Sequence, residues 1–354
     1  MDKLPGGVRV CDLKQFGLLL LATVLLAGNG CDQNPPSTAV PGTNAPVTVA
    51  FTQSAAEKEW LAQGEAGDAE AQFRLGLLYL NGVDSSTDPA QATERFRAAA
   101  NAYLTTNSTG NATFARANPD AAKAVMWLTR AAEQGHKYAQ PLLADQFRAG
   151  RGTPKNVTQA IKWYKLSAQE GNPWSAYELA MIYANGEGDH RKDVVEAVKW
   201  YHQAAEAGIV WAQYELASLF DKSKDIPHDF TQAAHWYEKA AQQDHDWAEY
   251  GLAYLYYTGR GVEKNLQTAY QWFQKAAERG NPEAQYMLGY MLSEGLGCER
   301  NQFEAGKWLF LAVKTQGKPH HHEHWLLVRG RLSEKELTEI RLHAAQFKPR
   351  KKTG

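Results

Sequence analysis

Residues 124–135 read AVMWLTRAAEQG, and related segments return along the chain at a nearly constant interval. Within this segment Ala124, Trp127 and Leu128 stand at the spacing of one helix face, and the final glycine suits the end of a helix. The tryptophan recurs every 36 or 37 residues, at Trp127, Trp163, Trp200, Trp236, Trp272 and Trp308. A fixed period of this length is typical of stacked repeat arrays, and we expect the six indoles to form core.

A second helical segment follows each glycine, and its clearest copy is NPEAQYMLGYMLSEG, residues 281–295. Pro282 suits a first helical turn, and the small residues Ala284 and Gly289 let another helix approach closely. Glycine pairs recur after this helix and are interpreted as turns, at Gly150/Gly152, Gly186/Gly188, Gly259/Gly261 and Gly295/Gly297. The sequence therefore predicts an all-α fold, an α-solenoid (superhelix) of stacked antiparallel helix pairs with 36–37 residues per repeat.

We expect this helical-repeat solenoid to occupy residues 55–317. Its repeats are expected at about 68–103, 104–135, 136–171, 172–208, 209–244, 245–280 and 281–317. The unit at 104–135 is expected to be degenerate, because LTTNSTGNATFARAN near its start is rich in residues that form helices poorly. A plain insertion inside one oversized repeat is the alternative interpretation of this region.

The sequence of residues 318–347 predicts a C-terminal half-repeat followed by a cap helix. Ser333 and Glu336 have the spacing of a capping box, which indicates where the cap helix begins. Such a helix covers the apolar end of a solenoid. The last residues, 348–354, form a short basic tail.

The N-terminal sequence predicts export. Residues 1–30 resemble a lipoprotein-like signal peptide, since basic residues precede a 12-residue apolar run that is too short to span a bilayer. Small residues then precede Cys31, the expected lipidation site, although ordinary cleaved export and a retained anchor are alternatives. Residues 31–54 are rich in Pro, Ser and Thr and predict a disordered tether. We therefore expect a periplasmic location, lipid-anchored to the inner or the outer membrane.

The overall charge argues against a nucleic-acid partner. The chain of 354 residues has a net charge of −1 and an isoelectric point near 6.8, whereas nucleic-acid-binding domains are usually basic. Of the three cysteines, only Cys298 lies in the expected array. A disulfide framework inside the array is therefore excluded.

Several segments resemble the repeats of a known family. They are AEAQFRLGLLYLNG at 69–82, NPEAQYMLGYMLSEGLG at 281–297, and segments of the AxxWYxxAAExG type at 160–171, 197–208 and 269–280. These motifs resemble the Sel-one-like repeat (SLR, Sel1-like) family of tetratricopeptide-like helical repeat proteins, in its bacterial exported or lipoprotein type. The resemblance implies a non-catalytic protein–protein interaction scaffold or adaptor of the bacterial cell envelope, with other proteins as partners and no cofactor.

Two other classes of function stay open. One is an envelope enzyme of the β-lactamase or peptidoglycan-hydrolysing type, although the chain lacks the cysteines of the family branch linked to β-lactams. The other is a glycan-binding module with peptidoglycan or another polysaccharide as its partner. Glu178, Glu206 and Glu215 are expected to be solvated or beside lysines, so the sequence singles out no catalytic pair.

Four aromatic residues form the candidate partner-binding site. They recur at 36 or 37 residues directly before a small residue of the inward helix face, at Tyr138, Trp174, Trp211 and Trp247. The same position holds Glu70 and Glu283 in other repeats, which indicates a solvent-accessible site. We expect these rings to form a ladder that binds an extended peptide or glycan. The alternative is that each ring only packs against its own repeat.

Histidines are concentrated in the run from His320 to His324. Imidazoles suit Zn²⁺, Cu²⁺ or Ni²⁺, but consecutive histidines on a helix cannot all face one ion. We therefore expect a solvated loop or a helix start here and assign no metal ligand, with weak metal binding as the alternative.

Overall fold

The structure, a computed structural model, describes residues 55–81 and 120–350 of the chain. In these two ranges every regular element is an α-helix, which confirms the all-α prediction. The fifteen helices are α1 (Ala55–Glu65), α2 (Ala69–Asn81), α3 (Ala121–Glu133), α4 (Ala139–Ala149), α5 (Val157–Gln169), α6 (Pro173–Asn185), α7 (Val194–Glu206), α8 (Val210–Lys222), α9 (Phe230–Gln242), α10 (Asp246–Thr258), α11 (Leu266–Glu278), α12 (Pro282–Glu294), α13 (Gln302–Thr315), α14 (Pro319–Arg329) and α15 (Glu334–Gln346).

The helices stack as repeated pairs. The first helix of each pair packs most extensively on the second helix that follows it, as α12 does on α13 and α10 on α11. The second helix then packs on the first helix of the next pair. We call α2, α4, α6, α8, α10, α12 and α14 the first helices, and α3, α5, α7, α9, α11 and α13 the second helices. This arrangement confirms the predicted solenoid of helix pairs.

The recurring tryptophans and alanines build the core of the second helices. The alanine three residues before each tryptophan is fully buried, at Ala124, Ala160, Ala197, Ala233, Ala269 and Ala305. Trp127, Trp163 and Trp236 are buried, whereas the indoles of the other three repeats are half-buried and pack against the core. The core prediction therefore holds fully for three indoles and in part for Trp200, Trp272 and Trp308.

Polar side chains fix where the second helices begin. An asparagine or aspartate precedes each of them and accepts a hydrogen bond from the backbone N–H three residues later. These N-caps are Asp120, Asn156, Asp193, Asp229, Asn265 and Asn301. Satisfying an otherwise unpaired N–H in the first turn contributes about 1 kcal/mol to helix stability.

The turns between helices need glycine. Gly261 has φ of +68°, and a Cβ at this position would lie 2.2 Å from the backbone carbonyl carbon of Phe230. Both the left-handed conformation and the close approach explain the second glycine of the repeated pair. Asp244 has φ of +63° at the position where the equivalent turns have glycine, as at Gly208 and Gly280.

The start of the array differs from the expected division into repeats. α2 packs on α3 as extensively as α12 does on α13, although residues 82–120 separate them in sequence. Gln134 at the end of α3 donates to Gln72 of α2 at 2.7 Å, and the pair Gln243–Gln213 repeats this bond at 2.8 Å between α9 and α8. The separate units 68–103 and 104–135 stay a prediction, and this packing is the one expected for an insertion inside one oversized repeat.

The C-terminal end is closed by α15. Ser333 and Glu336 form the predicted capping box, with both reciprocal hydrogen bonds present. α15 packs on α13 and buries Leu337 and Ile340. None of the described helices is both long and apolar enough to cross a membrane. The predicted signal peptide, the tether, Cys31 and residues 351–354 lie outside the described residues.

Candidate partner-binding surface

The first helices form one side of the stack. α8 contacts α10 and α12 contacts α14 directly, so first helices of neighbouring repeats approach one another. In a curved stack the elements that approach most closely lie on the inner side, and we call this side the inner surface. The second residues of six first helices, together with Tyr138 directly before α4, occupy equivalent places on this side and form the position-two column. The column comprises Glu70, Tyr138, Trp174, Trp211, Trp247, Glu283 and His320.

The four aromatic residues predicted to form a ladder differ in exposure. Trp211 is 43% exposed and Trp247 is 38% exposed, whereas Trp174 is only 9% exposed and Tyr138 is half-buried. The Trp174 indole therefore contributes mainly to packing, edge-on against Tyr177 at 5.9 Å. The two exposed indoles are available for contact with a partner.

Other aromatic rings hold the exposed indoles in place. Trp211 lies edge-on to His245 with ring centroids 4.8 Å apart, and His245 in turn stacks on Tyr214 at 4.6 Å. Trp247 lies edge-on to Tyr250 at 6.2 Å. A ring that is already ordered loses little conformational entropy when a partner binds, which favours a role in binding.

Five tyrosines extend this surface along α10 and α12. These inner tyrosines are half-buried and lie at Tyr250, Tyr254, Tyr257, Tyr286 and Tyr290. The rings of Tyr254 lie 6.3 Å from those of both Tyr250 and Tyr257. The Tyr286 hydroxyl is 2.9 Å from Nδ1 of His324 on α14. Burial and neighbouring tyrosines raise the pKa of Tyr286 to about 12, so its hydroxyl is neutral and able to donate.

The inner tyrosines were not among the binding residues predicted from the sequence. The signal was present, because Tyr177, Tyr214, Tyr250 and Tyr286 also recur at 36 or 37 residues. Aromatic recurrence alone does not separate them from core residues, since Tyr177 is buried while Tyr250 and Tyr286 are half-buried.

A polar network occupies the inner surface near α4 and α6. Arg148 pairs with Glu178 and, at 2.8 Å, with Glu187, which also pairs with Lys155 at 3.0 Å. The expectation that Glu178 is solvated or beside a lysine was therefore wrong, because Arg148 reaches it from the preceding repeat. Glu215 is half-buried, and burial raises its pKa while the nearby Lys222 lowers it, so only the lysine alternative fits this residue.

Asp145 is the carboxyl group in this network with the most perturbed pKa. Burial and the nearby Glu178 raise its pKa to about 7, and the Tyr164 hydroxyl donates a hydrogen bond to it. A pKa near neutrality is a property of general acids and bases. Here the Asp145 carboxyl accepts its hydrogen bond from Tyr164 on the adjacent helix α5, so this contact links α4 to α5.

The histidine run lies at the start of α14, which was one of the two structures expected for it, the other being a solvated loop. His321 is fully buried, His324 is half-buried, and His320 and His322 are exposed. The Nε2 atom of His321 lies 3.7 Å from Oε2 of Glu283 on α12.

A stack of helix pairs in this order defines an α-solenoid. The Sel1 repeat family model matches this chain in seven segments, 69–103, 116–136, 138–172, 175–209, 212–245, 248–281 and 282–314. These segments cover more than half of the sequence, and the chain belongs to the Sel1 repeat family. Proteins of this family are generally protein-interaction scaffolds and are typically non-catalytic.

The chain is also similar to solved structures and to one curated relative. A Sel1 repeat protein from Oxalobacter formigenes is 26% identical, with 59% of this chain and 93% of that chain covered and a TM-score of 0.51. A protective antigen with an SLR fold from uropathogenic Escherichia coli is 26% identical over 82% of this chain and 71% of that chain, with a TM-score of 0.47. The Arabidopsis thaliana protein HRD3B, an ERAD-associated E3 ubiquitin-protein ligase component, is 32% identical over 69 residues, which span 20% of this chain and only 11% of the relative.

Proposed function

We propose that this protein is a non-catalytic scaffold of the bacterial cell envelope that binds an extended segment of another protein along its inner surface. The exposed indoles of Trp211 and Trp247 beside the inner tyrosines support this proposal. Aromatic residues with polar tips are enriched where proteins bind one another, because they combine contact area with hydrogen bonding.

The chemistry of the surface favours a peptide segment over a charged polymer. The inner tyrosines offer neutral hydroxyl groups, which pair with backbone N–H and C=O groups of an extended chain. The charged side chains of the polar network, Arg148, Glu178 and Glu187, are already paired with one another. The alternative partner is a glycan that stacks on the indoles of Trp211 and Trp247, and a crosslinking experiment can distinguish it from a peptide.

The envelope location rests on the sequence of the N-terminal segment. We propose that Cys31 carries a lipid and that residues 31–54 connect it to α1, which begins at Ala55. Metabolic labelling with a fatty acid is expected to mark the wild-type chain and to leave Cys31→Ser unlabelled. Equal labelling of both chains, or labelling of neither, contradicts the lipid anchor.

Site-specific photocrosslinking in cells tests the binding surface. A photoreactive amino acid at position 247 is expected to give a discrete protein adduct, whereas the same group at Val195, which is 58% exposed on a second helix, gives none. The adduct should resist glycosidase and disappear with protease. Equal adducts from both positions contradict an inner binding surface, and an adduct removed by glycosidase favours the glycan-binding function.

A catalytic role is tested on the purified chain with nitrocefin and with muropeptides. The proposal predicts no turnover of either compound. Hydrolysis that Asp145→Asn abolishes would overturn the non-catalytic assignment, because Asp145 is the described carboxyl group with a pKa near neutrality.

A further inference from the structure

Three side chains from two consecutive first helices converge at the C-terminal end of the inner surface. Glu283 is in the first turn of α12, and His320 and His321 are in the first turn of α14. One ligand atom from each of the three side chains lies within 4.8 Å of the others. Glu283 and His320 both belong to the position-two column, so the 37-residue repeat places them side by side.

His321 is a buried polar side chain whose ring nitrogens make no hydrogen bond. Its exposed fraction is 0%, and neither ring nitrogen has a hydrogen-bond partner in the structure. Nε2 points towards Oε2 of Glu283 at 3.7 Å, beyond hydrogen-bonding distance. Since buried polar atoms in native proteins are nearly always paired, this arrangement indicates that a further group belongs between the two side chains.

We propose that Glu283, His320 and His321 form a binding site for a divalent transition-metal ion of the Zn²⁺ type. Two imidazoles with one carboxylate are a ligand set that Zn²⁺ accepts, with a solvent molecule as the fourth ligand. Two ligands of one tetrahedral Zn²⁺ lie about 3.3 Å apart, given metal–ligand distances of about 2.0–2.1 Å. The observed 3.7 Å needs only a small adjustment, and His320 is exposed to solvent at the start of α14.

The surrounding groups favour nitrogen-preferring ions. Tyr286 stacks on His321 at 4.7 Å and lies edge-on to His320 at 4.9 Å, so the phenol ring orients both imidazoles. Lys318 pairs with Oε1 of Glu283, which leaves Oε2 for the metal. Hard ions such as Mg²⁺ or Ca²⁺ prefer a shell of oxygen ligands and are therefore not the expected occupants.

Lys318 and the start of α14 oppose binding of a cation. Both are positive, so they weaken the site compared with an isolated ligand set.

A metal ion at this site would connect the last regular repeat to the closing helices. Its ligands come from α12 and α14, which are successive first helices. An ion that binds only the folded protein stabilises it in proportion to the logarithm of its concentration. The site would therefore strengthen the C-terminal end of the array when the metal is present.

Titration of the purified, chelator-treated chain with Zn²⁺ tests the proposal. Calorimetry is expected to give one ion per chain, and the Tm should rise with Zn²⁺ and return after chelation. His320→Ala should weaken binding at least about tenfold, and because His320 is exposed this variant is expected to fold. His322→Ala is the matched control from the same helix turn and should bind like the wild type.

Two further variants separate a metal site from a structural ion pair. Glu283→Gln should weaken Zn²⁺ binding, whereas Lys318→Ala should tighten it, because it removes the competing ammonium group from the carboxylate. No binding by the wild type, or an unchanged affinity in His320→Ala and Glu283→Gln, overturns the proposal. A Tm that stays constant or falls with Zn²⁺ also overturns it, because the ion then binds the histidine run of the unfolded chain.

Discussion

The tryptophans of this protein perform two different tasks at the residue scale, and their burial separates them. Trp236 is 1% exposed in the core, whereas Trp247 is 38% exposed on the inner surface. Trp236→Ala is expected to lower the free energy of unfolding by about 3–5 kcal/mol, and Trp247→Ala by less than about 1 kcal/mol. Urea denaturation followed by circular dichroism measures both, and equal losses would contradict the division between core and surface indoles.

Asp145 gives the stability a pH dependence of known sign. Burial raises its pKa from a usual 3.8 to about 7 in the folded chain, so the folded state keeps a proton that the unfolded state releases. The stability contributed by this group is complete below about pH 4 and is lost as the pH rises to about 7. Asp145→Asn should remove this loss, so the Tm difference between wild type and variant changes across that range. Parallel Tm curves would show that Asp145 titrates normally.

At the scale of elements, the first helix pair is the informative case. Because α2 packs directly on α3, residues 82–120 connect two helices that other repeats join by seven or eight residues, such as GRGVEKN at 259–265. Replacement of 82–120 by this short connection is expected to preserve the fold and to raise the free energy of unfolding by about 1.5 kcal/mol or less, because a shorter loop loses less entropy on closure. If 68–103 is instead a separate repeat, the replacement removes a core helix. Unfolding of the N-terminal repeats, seen by hydrogen exchange, would then follow.

The helix pairs could be predicted from sequence because the signals are local and repeat. Alanine and tryptophan spacing predicts the second helices, and the glycines that follow them predict where they end. The differences in exposure among the residues of the position-two column could not be predicted, since these differences depend on side chains of neighbouring repeats. Glu178 is paired because Arg148 lies 30 residues earlier, and Trp174 and Trp211 differ although they occupy equivalent positions.

At the scale of the whole molecule, a solenoid makes binding depend on several repeats at once. Trp211 and Trp247 are on consecutive first helices, and the inner tyrosines continue the surface onto α12. A partner segment that follows this surface contacts three helix pairs, none of which buries its apolar faces alone. The proposed metal site adjoins the same surface through Tyr286 and is separable from partner binding by the variants described above.

The affinity of the crosslinked partner for purified variants is the most direct measurement of the central claim. The double variant Trp211→Ala/Trp247→Ala is expected to bind at least about tenfold more weakly than the wild type, with unchanged helical content. Val195→Ala, an exposed change on a second helix, should leave the Kd unaltered. An unchanged Kd in the double variant would contradict an inner aromatic binding surface.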